Sequence, residues 1–121
     1  MALSAQGDPV KLEISDANAG GTILTATIYP QGSLTARTLA ATEILYVTDL
    51  IFSSTAGGAY NFIFGTTDGA GKRIAKGNAD AKGGLAHHWE TAVAGPAGVV
   101  PGLIAAAGQV DVVMTGFICQ K

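Results

Sequence analysis

The sequence predicts an all-β domain, an antiparallel sandwich or barrel, on three observations. Short runs rich in β-branched and aromatic residues recur at intervals of roughly 8 to 15 residues. Glycine-rich turns separate them, among them Ala56-Gly57-Gly58, Asp68-Gly69-Ala70-Gly71 and the pair Gly83-Gly84. No stretch makes a convincing amphipathic helix.

Composition bounds the class. The chain has 121 residues, of which 17 are glycine, 48% are hydrophobic and 13% are charged. That is one domain, long enough to bury roughly two thirds of the surface its unfolded form exposes. Disordered chains are poorer in apolar residues and richer in net charge. The glycines follow no three-residue period, which excludes a collagen-like chain. Seven Lys and Arg against nine Asp and Glu leave a net charge of -2, which argues against a protein that holds nucleic acid by neutralising phosphates. No run approaches the roughly 20 apolar residues that span a bilayer, and the N-terminal MALSAQGDPVKLE lacks the pattern of a signal peptide. Cys119 is the single cysteine, so no intramolecular disulfide forms, and an intracellular origin, or a particle assembled inside a cell, is expected.

Residues 1–21 read as an extended N-terminal arm, in which only Lys11-Leu12-Glu13-Ile14 looks able to pair, as an edge strand. Residues 22–121 read as a single β-sandwich domain. Thr22 to Tyr29 alternates, with Leu24, Ala26 and Ile28 on one face, and Pro30-Gln31-Gly32 ends it in a turn. Leu34 to Glu43 mixes alanines that favour helix with threonines that favour strand, and is assigned extended structure. Ile44 to Phe52 is the strongest strand: strict alternation puts Leu45, Val47, Asp49 and Ile51 on one face and Tyr46, Thr48, Leu50 and Phe52 on the other. Both faces are then partly apolar, as for a strand covered by a second sheet on one side and by a loop or a neighbouring subunit on the other. Tyr60, Phe62 and Phe64 point one way, Lys72 to Lys76 is a short exposed strand, and Leu85 to Glu90 follows the glycine pair. Gln109 to Cys119 closes the chain with Val110, Val112, Met114 and Ile118 on one face, which makes it a core strand.

The candidates for chemistry are few. Gly65 to Arg73 has the glycines of a phosphate loop but a spacer one residue too long, Arg73 where a hydroxyl must hold magnesium, and no following helix. It is assigned to a hairpin turn. His87 and His88 are the only histidines; neighbours in a strand face opposite ways, so they do not converge on one metal. They are assigned to a surface or subunit interface. The serines at 4, 15, 33, 53 and 54 lack a nucleophile-elbow signature, and Cys119 stands near the C-terminus, facing away from the valines. Asp49 and Asp111 are acidic residues within apolar strands. Trp89, Tyr60 and Tyr46 are the candidates for stacking on a sugar ring, against core packing of Tyr60 with Phe62 and Phe64. No catalytic residue, cofactor or metal ligand is assigned.

Residues 44–121 resemble the small jelly-roll or β-sandwich structural proteins of tailed bacteriophages, of the head-decoration or fibre type. The likeness lies in the order LYVTDLIFSSTAGGAYNFIFG, a polar loop, HHWETAV, VVPGLIAAAGQ and VDVVMTGFI. It implies a jelly-roll-like sandwich without enzymatic activity, a decoration or cement protein that forms a homo-oligomer, a trimer on a capsid symmetry axis, and that binds the major capsid protein in a virion assembled in the host cytoplasm. The arm is then expected to order against the shell or a neighbouring subunit. Lys11, Leu12, Ile14, His87, His88, Trp89, Val99 and Val100 are the candidate interface residues, with Ala105, Ala106 and Ala107 suited to a flat subunit contact. The alternative is a carbohydrate- or receptor-binding sandwich module that exposes Trp89 and the tyrosines in a groove.

Overall fold

The structure is a computed structural model. It describes residues 7–18, 23–67, 69, 71–80, 82–105 and 109–120; for 15–18, 79 and 105 the backbone alone is described. The described residues form β1 (Asp8–Asn18), β2 (Ile23–Thr25), β3 (Thr27–Pro30), β4 (Glu43–Ser54), β5 (Gly58–Phe64), β6 (Arg73–Ala79), β7 (Gly84–Ala94), β8 (Pro101–Ala105) and β9 (Gln109–Gln120). Among them no helix is long and apolar enough to cross a membrane.

The strands make two antiparallel sheets, ordered β3-β1-β9-β4-β7 and β2-β8-β5-β6. The pairings are nested: β1 with β9, β2 with β8, β4 with β7, and β5 with β6. The chain is therefore one long antiparallel ribbon whose tip is the β5–β6 hairpin. Rolling the ribbon brings β9 beside β4 and β8 beside β5, which is the wrap of a jelly roll. The extra strand β3 is added at one edge. Gly65 and Gly71, at positive φ, flank the tip of the ribbon, where Phe64 N–H donates to the Lys72 carbonyl at 2.8 Å, as the assignment to a hairpin turn expects.

The two sheets close on a core to which both contribute. Leu12, Leu50, Met114 and Ile28 stand in one register row on the five-stranded sheet, and Phe62 and Leu103 face them from the other. All six are at most 2% exposed. Phe52 joins Tyr60 and Phe62 in an aromatic cluster, with ring centroids 5.2 and 5.3 Å from its own. The offset and edge-on geometries of such rings add to their area burial.

Three expectations are corrected. Residues 8–18 are not an arm: β1 lies between β3 and β9, with Val10, Leu12 and Ile14 in the core. Alternation across Val10, Leu12 and Ile14 already marks a buried face, and the neighbouring Gly7 and Pro9 obscure it. Residues 1–6 and 19–22 lie outside the described residues. The run 22–29 is not one strand; it breaks at Ala26 and passes from one sheet to the other, and Ala26 N–H donates to the Pro101 carbonyl at 3.0 Å at that corner. Its predicted inward face nevertheless holds, because Leu24, Ala26 and Ile28 all pack on the core.

Residues 34–42 form a loop with a single bridge, Ile28 to Arg37. A buried carboxylate organises it. Glu43 is 6% exposed, accepts the Ala40 N–H at 2.8 Å and pairs with the Arg37 guanidinium. These bonds, the Ala40 N–H foremost, hold its carboxyl below the usual carboxylate range against the opposing effect of burial. Strand β8 is not apparent from the sequence, because Pro101 and Gly102 read as breakers; proline is accommodated as the first residue of the strand, and Leu103 is fully buried.

Candidate functional site

Strand β4 does not alternate throughout. Leu45 and Val47 face the core, and so do Leu50 and Phe52. The parity changes at Thr48: against β9 the register slips by a one-residue bulge between Val47 and Asp49, and against β7 the pairing is interrupted between the same two residues. A bulge inserts a residue and re-aims the side chains beyond it. This is why each face of β4 reads as half apolar in the sequence: the inward face changes side at residue 48. Gly116 sits opposite Val47 at this point, where an added Cβ would run into the Tyr46 carbonyl oxygen.

The bulge turns Asp49 onto the outer face of the five-stranded sheet. There the register aligns His88, Asp49, Thr115, Lys11 and Tyr29 in one row across β7, β4, β9, β1 and β3. Asp49 Oδ1 is 2.7 Å from Nδ1 of His88, and Oδ2 accepts from Thr115 Oγ1 and lies equally near Thr48 Oγ1, each at 2.9 Å. The His88 bond, followed by those of Thr48 and Thr115, holds the Asp49 carboxyl below its ordinary range. An ionised carboxylate only accepts, so His88 must carry its proton on Nδ1 when neutral. The pair thus fixes the tautomer and the ring plane and leaves Nε2 as the free acceptor. Asp49 and His88 side chains are 44% and 64% exposed. At the other end of the row Lys11 bonds Glu13 at 2.6 Å and lies 5.7 Å from the centre of the Tyr29 ring.

The next row is apolar on β7, β4 and β9, with Ala86, Ile51 and Val113, and polar on β1 and β3, with Glu13 and Thr27. Ile51 is 60% exposed and Val113 38%, although β4 and β9 are interior strands. On the other side of the polar row Tyr46 stacks on Phe117, centroids 4.9 Å apart and planes 11° apart. Two depressions share this face and meet at Thr115. One, of about 460 Å³, includes Ile51, Ala86 and His88; the other, of about 480 Å³, includes Lys11, Pro30 and Leu34.

The candidate interface residues divide between the two faces. Leu12 and Ile14 are buried in the core of the chain itself and are withdrawn as contact residues. Lys11 is outward and exposed. His87 and His88 do face opposite ways, as expected: His88 joins the outer row, while His87 packs edge-on against Trp89 at 4.4 Å. Trp89, Val99 and Val100 are partly buried against the core and offer only their edges. Ala106 and Ala107 lie outside the described residues, as does the side chain of Ala105. The aromatic trio weighed for sugar stacking is dispersed, with Tyr60 in the core, Trp89 against it and Tyr46 on the outer face. Among the described residues no three His, Cys, Asp or Glu side chains converge on a metal position. Sequence reasoning missed Ile51, Val113 and Thr115 as outer-face residues and missed Leu34, which is 95% exposed. The parity change on β4 hid Ile51; strict alternation on β9 was enough to find Val113 and Thr115.

No protein-family model, curated protein or solved structure matches this chain.

Proposed function

We propose that this chain is a non-enzymatic structural protein of a virion, a decoration or cement protein that associates with itself and binds the capsid shell, with assembly in the host cytoplasm. The observation that carries the reading is the outer face of the five-stranded sheet. An antiparallel sheet with one solvated face ordinarily presents polar residues there. Here two interior strands present Ile51 and Val113, more than a third exposed, beside a row that holds opposite charges on Lys11 and Asp49. Apolar side chains grouped in the middle of a face mark a contact surface. The nested ribbon adds support, since a jelly roll is the architecture that the resemblance to phage head proteins implies, although a fold alone does not assign a function. The sparse charge of the chain is in keeping with a surface partly covered by neighbours.

Light scattering on the purified chain, with and without a panel of glycans, tests this reading. An oligomer indifferent to glycans is expected. A stable monomer that binds a glycan would reject it in favour of a carbohydrate- or receptor-binding module.

A further inference from the structure

We propose that the outer face of the five-stranded sheet pairs with the same face of a second copy of this chain about a two-fold axis that runs parallel to the strands between β4 and β9, so that Val113 of each copy lies over Ile51 of the other. This rests on the reading of the chain as a self-associating protein and adds the contact and its symmetry.

The register decides what meets what. A two-fold parallel to the strands keeps every register row and exchanges the two sides of the sheet. With the axis between β4 and β9, β9 of one copy lies over β4 of the other, and β1 lies over β7. The outward residues of β9 and β4 share rows: Phe117 with Tyr46, Thr115 with Asp49, and Val113 with Ile51. The operation therefore lays an aromatic ring over an aromatic ring, a hydroxyl over a carboxylate, and a branched aliphatic side chain over another, each twice in the pair. Ile51 and Val113, 60% and 38% exposed in the single chain, cover each other, and Val113 enters the depression beside Ile51 and Ala86.

The flanking strands agree. Lys11 and His88 stand in the row of Thr115 and Asp49, so Lys11 of each copy arrives over His88 of the other, one strand spacing from its Asp49. The ammonium then lies over a hydrogen-bonded histidine–carboxylate pair whose bare Nε2 accepts, and it offsets the approach of the two Asp49 carboxylates across the axis. Glu13, already bonded to Lys11, is set over Ala86, the smallest side chain of its row, which leaves it room.

The face is thus self-complementary row by row, as an isologous contact requires. An axis over β9 does worse, because it sets the Glu13 carboxylate on Ile51. A two-fold across the strands at Val113 also does worse, because it reverses the rows and sets Phe117 over Gln109. Strands β1, β9, β4 and β7, over the length of β9 from Asp111 to Cys119, present about 19 by 31 Å, so the pair buries about 1,200 Å² in total, the lower bound for a specific interface. The pair replaces the trimer that the resemblance implies.

The test uses the full chain. Light scattering is expected to give a dimer. Ile51→Asp and Val113→Lys, both on the exposed face, are each expected to weaken association by at least about tenfold, with an unchanged β-sheet circular dichroism spectrum. An equimolar mixture of the two variants is expected to regain a one-to-one dimer, because one of its two contacts between positions 51 and 113 then joins opposite charges while the other is unaltered. An oligomer of another mass, a homodimer that persists unchanged in both variants, or a mixture that associates no better than the separate variants overturns this contact and leaves self-association standing. A wild-type chain that stays monomeric overturns both.

Discussion

Asp49 and His88 face each other across β4 and β7 at 2.7 Å, Oδ1 to Nδ1, only because the bulge at Thr48 has turned Asp49 outward. Without the extra residue, alternation from Val47 would point Asp49 into the core, where an unpaired carboxylate is costly. The pairing fixes the His88 tautomer, so nitrogen NMR of the neutral ring is expected to show Nδ1 protonated and Nε2 bare. In Asp49→Ala the ring is released, and the signal is expected to move toward the Nε2-protonated form. A wild-type ring already protonated on Nε2 when neutral would contradict the geometry.

The loop 34–42 depends on the ionised Glu43. Its carboxyl is held low by the Ala40 N–H and by Arg37. A depressed folded-state value contributes stability above the unfolded value, about 4.3, and that contribution is lost as pH falls through the folded value. Thermal melting between neutral pH and pH 3 should therefore show an acid limb that Glu43→Gln flattens. At neutral pH the same substitution is expected to cost about 1.5–3 kcal/mol, the range for hydrogen bonds to a charged group. A melting temperature unaltered by Glu43→Gln would show that the loop is held by other contacts.

Gly116 is fixed by space. A Cβ there meets the Tyr46 carbonyl oxygen and lies 3.2 Å from the Val47 Cα, both backbone atoms of the paired strand, so no side-chain adjustment relieves it. Gly116→Ala is expected to destabilise by about 1–3 kcal/mol, the range of overpacked interiors, and to shift the Thr48 and Asp49 amide resonances with it. A variant as stable as the parent would mean that the bulge is readily rearranged.

Strand β1 belongs to the sandwich, with Leu12 fully buried between its neighbours on β3 and β9. Leu12→Ala is expected to cost about 2–5 kcal/mol in chemical denaturation. Deleting residues 8–18 opens two strand edges at once and is expected to leave the protein unable to fold. A truncated chain that kept a cooperative unfolding transition would restore these residues to the status of an arm.

Much of the architecture was legible in the sequence, and the remainder has identifiable causes. The alternation of Val110, Val112, Met114 and Ile118 located the central strand, and the aromatics of β5 located the facing sheet, because burial on one face imposes a period of two. The phase of β4 past Thr48 was not legible. A bulge shifts phase without a residue type of its own, and its steric counterpart, Gly116, is far away in sequence. The loop at 34–42 was misread because its order comes from one carboxylate bonding back to Arg37 and Ala40, a tertiary arrangement that local propensities do not register. At the outer face, His88 and Asp49 each stand out in the sequence, but their pairing needed the register of β7 on β4. Leu34 was passed over because an exposed leucine in a loop has no pattern around it.

The most direct measurement of the proposed structural role is co-sedimentation of the purified chain with capsid shells assembled from a major capsid protein encoded in the same genome. Saturable binding at a fixed ratio of the chain to shell subunits is predicted. A chain that self-associates yet stays in the supernatant at every shell concentration would contradict it.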